Sequence, residues 1–491
     1  MARGKPRHRR TGARQGCHSD EHRSGRHSTR ILQHLTGILC ALLVATLSAT
    51  TSAQDEGVAE PAPIPGAPTE AREEDEALLE ERRIQPFSRP EPSLTERLLP
   101  DARPDLSTSV LFPPNALTGV RRPTGLLQVG NFLISPSVQV SAAYDDNVSA
   151  SDGDREDDVT GNLGASVSAE SLFERHSLGF GLNASIGNPH RNVDHNATDR
   201  LALTSSADGR LDLTPRSSLT AEARVTRGAQ SPEAQEAGAE DEPTIFNASG
   251  AVGYEHQFNR LAWQIAGAVT RTEADDGEEA AEQDRTGYTI SPGLDYEVSR
   301  RLSVFAGSGY SRNEYDTAGE GGSRDSQAVR ADVGADLELG RNFGARIGVG
   351  YVAVFFADSE RETQQSPAVS ADLNGAISLD RLTLLSLGLN HSTDLTTADE
   401  AALVTRTQFA TAINRLLTRS SAILASVTLS RSDFIDESRT DHDVVAQVAY
   451  SHELFRNIAL NLGYRFSQRF SDDGEDEFYR NLVSVGLSAS F

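Results

Sequence analysis

The chain has 491 residues, of which 37% are hydrophobic and 24% are charged, and its formal net charge at pH 7 is −25. This acidic balance excludes a nucleic-acid partner, because a protein that binds phosphate backbones presents basic surface. Beyond the N-terminus, no stretch approaches the roughly 18 apolar residues of a membrane helix, which excludes a helical membrane protein.

Residues 1–53 have the features of an export signal. The first 30 residues carry nine Lys/Arg and two acids, and an uncharged segment follows from Ile31 to Gln54. Its apolar part, residues 35–47, is shorter than the roughly 20 residues that span a bilayer. The tripeptide Thr51-Ser52-Ala53 suits signal peptidase, so we expect Sec export and cleavage before Gln54.

Two other export signals fit less well. Arg9-Arg10 resembles a twin-arginine signal but lies far from the apolar segment, and Cys40 follows a leucine where a lipoprotein signal has a small residue. Cys17 and Cys40 both precede the expected cleavage site, so the mature chain has no cysteine for disulfides or metal sites. Removing the signal's +7 from −25 leaves about −32 for the exported part.

Residues 54–126 are rich in Pro, Ala, Glu and Arg, as in EPAPIPGAP at 60–68 and EAREEDEALLEERR at 70–83. Such a segment buries too little apolar surface to offset its ordering entropy. It is predicted to be a disordered periplasmic segment. Docking to a partner and plugging of the pore are the alternatives.

From residue 127 to the C-terminus, the sequence has the two-residue period of strands with one apolar face. In the last segment, residues 483–491, Val, Leu and Ala alternate with Ser and Gly, and the chain ends at Phe491. Outer-membrane barrels show this pattern because lipid contacts one face of each strand and the lumen the other. About 18 such segments (16–18) follow one another. They predict an all-β fold, a transmembrane antiparallel up-and-down β-barrel over residues 127–491.

The connections alternate between short and long, which is typical of barrels with inner turns and outer loops. Residues 214–218 and 380–381 are short connections, whereas 145–158 and 228–243 are long and acidic. Aromatic residues on the apolar parity fall into two groups, as two membrane interfaces require. Beside short turns are Tyr254, Trp263, Tyr296 and Tyr450; beside long loops are Tyr144, Tyr288, Tyr310, Tyr351 and Tyr464.

Charged residues on the polar parity are predicted to line the lumen and to pair across neighbouring strands. Registers chosen from the turns set Arg210 opposite Glu222, Asp208 opposite Arg224, Asp336 opposite Arg346, and Asp443 opposite Arg465. The predicted lumen-lining residues are Arg210, Glu222, Arg224, Asp332, Asp336, Arg346, Asp372 and Arg465.

One segment resembles a known family. GNFLISPSVQVSAAYDDNVSAS at 130–151, preceded by GVRRPTG at 119–125, is similar to the start of the barrel in the bacterial putative β-barrel porin 2 family. The resemblance covers roughly residues 125–491, and its motif-like part is Tyr144-Asp145-Asp146-Asn147. It implies an outer-membrane barrel with a role in envelope transport, often alongside exopolysaccharide or capsule export.

Other candidate chemistry is weaker. Asp145-Asp146-Asn147 suits either a turn after a strand or a divalent-cation site, and the acidic loops could collect cations near lipopolysaccharide. His190, Asp194 and His195 cluster in one loop without a third ligand in fixed geometry. No Gly-x-Ser-x-Gly elbow is present, so an enzyme is not expected, and neither a cofactor nor a metal site is assigned.

The sequence thus predicts a porin-like outer-membrane channel for polar solutes or polysaccharide export. The alternative is a structural or ligand-binding surface barrel without open-channel transport. Expected partners are outer-membrane lipid and lipopolysaccharide, polysaccharide or small polar solutes, and envelope export machinery.

Overall fold

The computed structural model describes residues 127–151, 153, 155–187, 201–229, 244–275, 284–317, 323–340, 342–358, 361–395, 403–435, 439–472 and 477–491. The expected signal peptide, the segment 54–126 and the cluster His190/Asp194/His195 lie outside these residues. In the described ranges, no helix is long and apolar enough to cross a membrane.

The described residues form one antiparallel sheet. Its strands are β1 (Leu127–Val129), β2 (Phe132–Asp145), β3 (Asp158–Ser171), β4 (His176–Gly187), β5 (Leu201–Thr214), β6 (Ser217–Ala229), β7 (Thr244–Phe258), β8 (Leu261–Asp275), β9 (Arg285–Ser299), β10 (Leu302–Tyr315), β11 (Ser326–Glu338), β12 (Phe343–Phe356), β13 (Gln364–Ser378), β14 (Thr383–Leu395), β15 (Leu403–Thr418), β16 (Ser421–Ile435), β17 (Thr440–Phe455), β18 (Ile458–Ser471) and β19 (Phe478–Ser490).

Strands β2 to β19 close into a barrel. Each pairs with the next along the chain, and β19 returns to β2 with Leu482 opposite Asp145 and Ser490 opposite Ser137. The three-residue β1 folds back on the start of β2. The predicted all-β, 18-stranded antiparallel barrel is therefore confirmed, and closure leaves no free sheet edge.

The two ends of the barrel differ. At one end the connections are two to four residues long, and this short-turn end also holds Phe491, whose backbone N–H donates to Pro136 O at 3.0 Å. At the other, long-loop end, connections reach the length of residues 230–243. In an even-stranded barrel the first strand starts at the end where the last strand finishes, as β2 and β19 do here.

The two faces of each strand differ as the alternation predicts. In β19, Val483 and Val485 are about half exposed on the exterior, whereas Ser484 between them is buried on the interior face. Exposed large apolar side chains recur on the exterior of the other strands, for example Leu163 and Val349. In a bilayer this apolar exterior contacts lipid, and the interior face is left mainly to polar and small residues.

Two of the three predicted hairpin registers are wrong, and tight turns with bulges are the reason. Between β5 and β6 only Pro215-Arg216 form the turn: Thr214 pairs with Ser217, their hydroxyls are 2.6 Å apart, and a bulge follows. Asp208 therefore lies opposite Glu222 instead of Arg224, and Arg210 opposite Thr220 instead of Glu222. A bulged residue moves the register without changing the apolar pattern that the sequence displays.

The β17–β18 hairpin departs from its prediction in the same way. Its register is irregular between Glu453 and Phe455, and Phe455 pairs with Ile458 around a two-residue turn. Asp443 therefore faces Arg469, and Arg465 faces Gln447. The third register, Asp336 opposite Arg346, is confirmed.

Candidate functional site: the interior of the barrel

All eight residues predicted to line the lumen lie on the interior face, opposite in parity to the exposed apolar side chains. The structure brings three of them together, because Asp336 is directly opposite Arg346 and Arg346 is directly opposite Asp372. Arg346 Nη1 is 3.3 Å from Asp336 Oδ1. The other five are distributed around the wall, namely Arg210, Glu222, Arg224, Asp332 and Arg465.

Arg346 is held from a second side by an aromatic ring. Phe305 is an interior residue of β10 that is only 6% exposed, and the Arg346 guanidinium lies 3.8 Å from its ring centroid. The ring fits because Gly334 and Gly348 lie beneath it, where a Cβ would come within 2.4 and 3.1 Å of the ring. Sequence alternation missed Phe305, since an apolar side chain on the interior parity breaks the pattern.

Arg346 belongs to an unbroken row of polar side chains that climbs the interior wall, which we call the charged row. Each member lies directly opposite the next on the neighbouring strand, from β9 to β18. It starts two residues from the short-turn end of β9 and finishes two residues from the long-loop end of β18. Its members are Glu297, Ser303, Asp336, Arg346, Asp372, Asn390, Gln408, Ser430, Asp443 and Arg469.

A second row, the neutral row, climbs the other side of the interior from β19 through β2 to β8. Its hydroxyl and amide side chains are again directly opposite one another, and two of its contacts are hydrogen bonds of 2.6 and 2.8 Å. Its members are Ser490, Ser137, Ser166, Asn183, Thr204, Thr226, Asn247 and Thr272.

Charged side chains pack together on the interior towards the long-loop end. Arg439 and Arg469 form ion pairs of 2.8 Å with Asp441 and Asp443, and Asp441 is 4% exposed. By contrast, the Arg346 side chain, nearer the short-turn end, is 50% exposed. These ionic side chains near the long-loop end are therefore much less exposed than Arg346.

On the neighbouring strands the wall bends inward near the long-loop end. Arg330 of β11 reaches β14, three strands away, and its Nη1 donates to Thr393 O at 3.1 Å. Leu403, the first residue of β15, is fully buried in one apolar cluster with Val352 and Val354 of β12. These interior apolar residues were also missed by the alternation of the sequence.

The Tyr144-Asp145-Asp146-Asn147 motif lies where the first and last barrel strands meet. Arg480 of β19 forms an ion pair with Asp145, its Nε donating to Oδ2 at 2.7 Å, and Asp145 is 2% exposed. Asn481 donates from its backbone and side-chain amides to Asp146 at 2.6 and 2.7 Å. The carboxylates thus bind groups of β19.

The rest of the motif continues this contact. Asn147 is fully buried and donates from Nδ2 to Tyr479 O at 2.9 Å, while its backbone N–H donates to Asp145 Oδ1 at 3.1 Å, as in an Asx turn. Arg155 stacks on the Tyr479 ring at 3.6 Å and donates to Asp146 at 3.0 Å. We call this set of contacts between the motif and residues 479–481 the seam clasp.

On the exterior, charged side chains appear at the long-loop end beyond the tyrosines. Arg271 donates to Asp316 at 2.6 and 3.0 Å and to Glu273 at 3.0 Å. The hydrogen bonds from Arg271 lower the pKa of the Asp316 carboxyl, so this pair stays ionised at neutral pH. Tyr288 and Tyr310 are exposed on the same exterior face.

In the part of the chain that the structure describes, no three His, Cys, Asp or Glu side chains are arranged to hold a metal ion. Polar side chains of the interior contact one another across strands and could exchange these hydrogen bonds with a solute. The arrangement is chemically suited to binding and passage of polar molecules.

Comparison with solved structures shows only distant likenesses. The outer membrane protein OpdK from Pseudomonas aeruginosa is 11% identical with a TM-score of 0.39, covering 73% of this chain and 99% of that one. A BenF-like porin from Pseudomonas fluorescens Pf-5 is 11% identical with a TM-score of 0.42, covering 75% and 100%. The siderophore receptor PirA from Pseudomonas aeruginosa is 10% identical with a TM-score of 0.37, covering 76% and 81%. Likeness at this level supports no inference about function.

Among curated proteins, none matches the chain significantly. The family comparison is decisive by contrast, because the model described as putative beta-barrel porin 2 matches residues 122–491, which include every strand of the barrel. This chain belongs to the putative beta-barrel porin 2 family, whose members are porin-like barrels of the outer membrane.

Proposed function

We propose that this protein is an outer-membrane channel for polar solutes, including polysaccharide in export. The observation that carries the proposal is the polar interior that continues from one rim of a closed barrel to the other. Side chains do not fill a barrel of about 18 strands, so water occupies the space that remains. The long-loop end is then external, and the short-turn end is periplasmic.

The residues assigned to the channel wall are those of the charged row and the neutral row, together with Arg210, Glu222, Arg224, Asp332 and Arg465. Solutes would exchange hydrogen bonds with water for hydrogen bonds with these side chains. Delivery to the outer membrane would use the signal at residues 1–53, cleaved before Gln54. The short-turn end faces the periplasm, where envelope export machinery would supply a polymer.

Lipid and lipopolysaccharide are the proposed partners of the exterior. The exposed apolar side chains would contact acyl chains, and Tyr288 and Tyr310 would lie at the interface. Arg271, just beyond them, would lie at the level of lipopolysaccharide phosphates.

The experiment is a planar-bilayer recording of the full-length gene product, expressed with its own signal in a Gram-negative host and purified folded from the outer membrane. We expect stepwise conductance in KCl, and swelling of proteoliposomes in isotonic sugar. Heat-denatured protein is the control. Folded protein that never conducts above background would contradict the channel.

A second candidate function is a structural or ligand-binding surface barrel without an open channel. The burial of Asp441 and Leu403 towards the long-loop end favours it, because filled space there impedes passage. Silent bilayers together with specific binding of a ligand from the external side would support this candidate over the channel.

A further inference from the structure

The charged row has a spacing that matches a repeating ligand. Neighbouring strands are about 4.8 Å apart, which is close to the length that one sugar ring adds to an extended polysaccharide. With strands tilted by about 35–45°, each step across the sheet rises about 3 Å, so the nine steps from β9 to β18 cover about the height of the apolar band. One polar group per strand thus offers one polar group per sugar.

Many side chains of the charged row are also longer than the side chains beside them. The parallel interior row towards the short-turn end contains Gly344, Gly388 and Ala410 as well as Glu338 and Asn374, whereas Gly334 and Gly348 on the other side are covered by the Phe305 ring. The small residues on β14 and β15 leave space beside the row there. A chain molecule could lie there with its hydroxyls against the row.

The side chains of the row on β12 and β13 are held in place before any ligand binds. Arg346 stacks on Phe305 and contacts Asp336, and Asp372 accepts hydrogen bonds from Asn374 at 2.7 Å and Asn390 at 3.4 Å. Side chains that are already ordered lose little entropy on binding. Planar Asp, Asn, Gln and Arg groups can each contact two hydroxyls, and together they supply donors and acceptors, as hydroxyls require.

The charge of the row selects among polymers. Its carboxylates (Glu297, Asp336, Asp372 and Asp443) outnumber its two guanidinium groups. An anionic polymer would meet net repulsion along this path, whereas a neutral one would not.

We propose that the charged row is a binding track for a neutral, hydroxyl-rich oligosaccharide or polysaccharide. This inference rests on the proposed channel function and names the class of its substrate. It places the main contacts on β11 to β15, where the side chains of the row are partly exposed and lie away from the ion pairs at the long-loop end.

The test measures block of single-channel current by maltohexaose, a neutral linear glucan. The track variant carries Asp372→Leu, Asn390→Leu and Gln408→Leu on β13, β14 and β15. The matched control carries Gln365→Leu, His391→Leu and Thr407→Val on the exterior face of the same three strands. We expect the dissociation constant of maltohexaose to rise at least about tenfold in the track variant, because several hydrogen bonds are lost. In the control variant it should rise less than about twofold.

Each outcome bears on a distinct claim. Wild-type protein that does not conduct contradicts the channel itself. If the protein conducts, but the two variants lose equal affinity for maltohexaose or the track variant loses none, the binding track alone is overturned. Tighter block by an anionic oligogalacturonate than by maltohexaose overturns the neutral class. If heating does not change the gel mobility of the triple variant, the variant is not folded and the single substitution Asn390→Leu replaces it. We expect Asn390→Leu to weaken the affinity for maltohexaose about threefold.

Discussion

At the scale of single residues, the Phe305–Arg346 stack shows how an apolar side chain comes to lie on a polar interior. The ring covers Gly334 and Gly348, and the guanidinium covers the ring. Burial of the ring therefore depends on two glycines and one arginine from two neighbouring strands. No pattern within β10 alone could reveal this, because the partners lie on β11 and β12.

Truncating this ring should destabilise the barrel. We expect Phe305→Ala to lower the free energy of unfolding by about 3 kcal/mol, since it removes a buried aromatic side chain. The fluorescence of Trp263, the chain's single tryptophan, during urea unfolding would measure it. Val304→Ala, on the exposed exterior of the same strand, is the control and should cost clearly less. Equal losses of unfolding free energy in the two variants would show that packing of the Phe305 ring does not stabilise the barrel.

Asp380 illustrates a turn set by one carboxylate. Its Oδ1 accepts from the Leu382 N–H at 2.7 Å and its Oδ2 from the Thr383 hydroxyl at 3.1 Å. Burial acts to raise the pKa of Asp380, but these hydrogen bonds outweigh it and hold the pKa below its ordinary value. The ionised carboxylate therefore stabilises the turn between β13 and β14.

The stabilisation should depend on pH with a defined sign. Because the folded-state pKa is lowered, the contribution is present above the unfolded value of about 3.9 and is lost as the pH falls through the folded pKa. We expect the melting temperature of wild type to exceed that of Asp380→Asn at pH 7, and the difference to shrink below about pH 4. Thr383→Val, which removes one donor, should give a smaller difference. A difference in melting temperature between wild type and Asp380→Asn that does not depend on pH would show that the ionised carboxylate does not stabilise the turn.

At the scale of elements, the alternation of the sequence was enough to predict the strands, their faces and the closure of the barrel. It could not fix register, because a bulge such as that between Asp212 and Thr214 shifts pairing without altering the pattern. Of the interior site, the sequence indicated Asp336, Arg346 and Asp372. It could not indicate that they join Asn390 and Arg469 in one row, since that depends on nine successive registers.

The seam clasp is a second feature at this scale that the sequence pattern does not display. Asp145 is separated from Arg480 by 335 positions in the chain, and only closure of the barrel brings them together. The Asp145–Arg480 pair is nearly inaccessible, so removing one partner leaves a buried charge. Such a loss costs about 3–5 kcal/mol, far more than loss of an exposed pair.

We therefore expect Arg480→Gln to lower the temperature at which the folded form is lost on gels, and Asp145→Asn in the same chain to recover part of it. Arg431–Asp433 on the exterior of β16 is the matched control, with side chains 55% and 36% exposed. Arg431→Gln should change the transition little. If both arginine variants behave alike, the seam clasp does not contribute to closure.

At the scale of the whole molecule, the interior carries an uneven charge. Towards the short-turn end, carboxylates on the interior face outnumber arginines among the described residues, Arg210 and Arg346 being the arginines there. Towards the long-loop end, arginines and acids pair with each other, as in Arg469–Asp443. The acids of the short-turn end are Glu170, Asp212, Glu255, Asp295, Glu297, Asp336, Glu338 and Glu453.

This distribution should make the channel cation-selective. Carboxylates on the interior face of the strands concentrate K⁺ and repel Cl⁻, and the effect weakens with salt because the screening length is about 10 Å at 0.1 M and about 3 Å at 1 M. We expect the reversal potential in a KCl gradient to have the sign of K⁺ diffusion, and Glu255→Gln with Glu297→Gln and Glu338→Gln to move it towards zero. Glu273→Gln with Glu314→Gln, on the exterior face, should leave it unchanged. Anion selectivity, or equal effects of the interior and exterior variants, would mean that the ions do not pass these carboxylates.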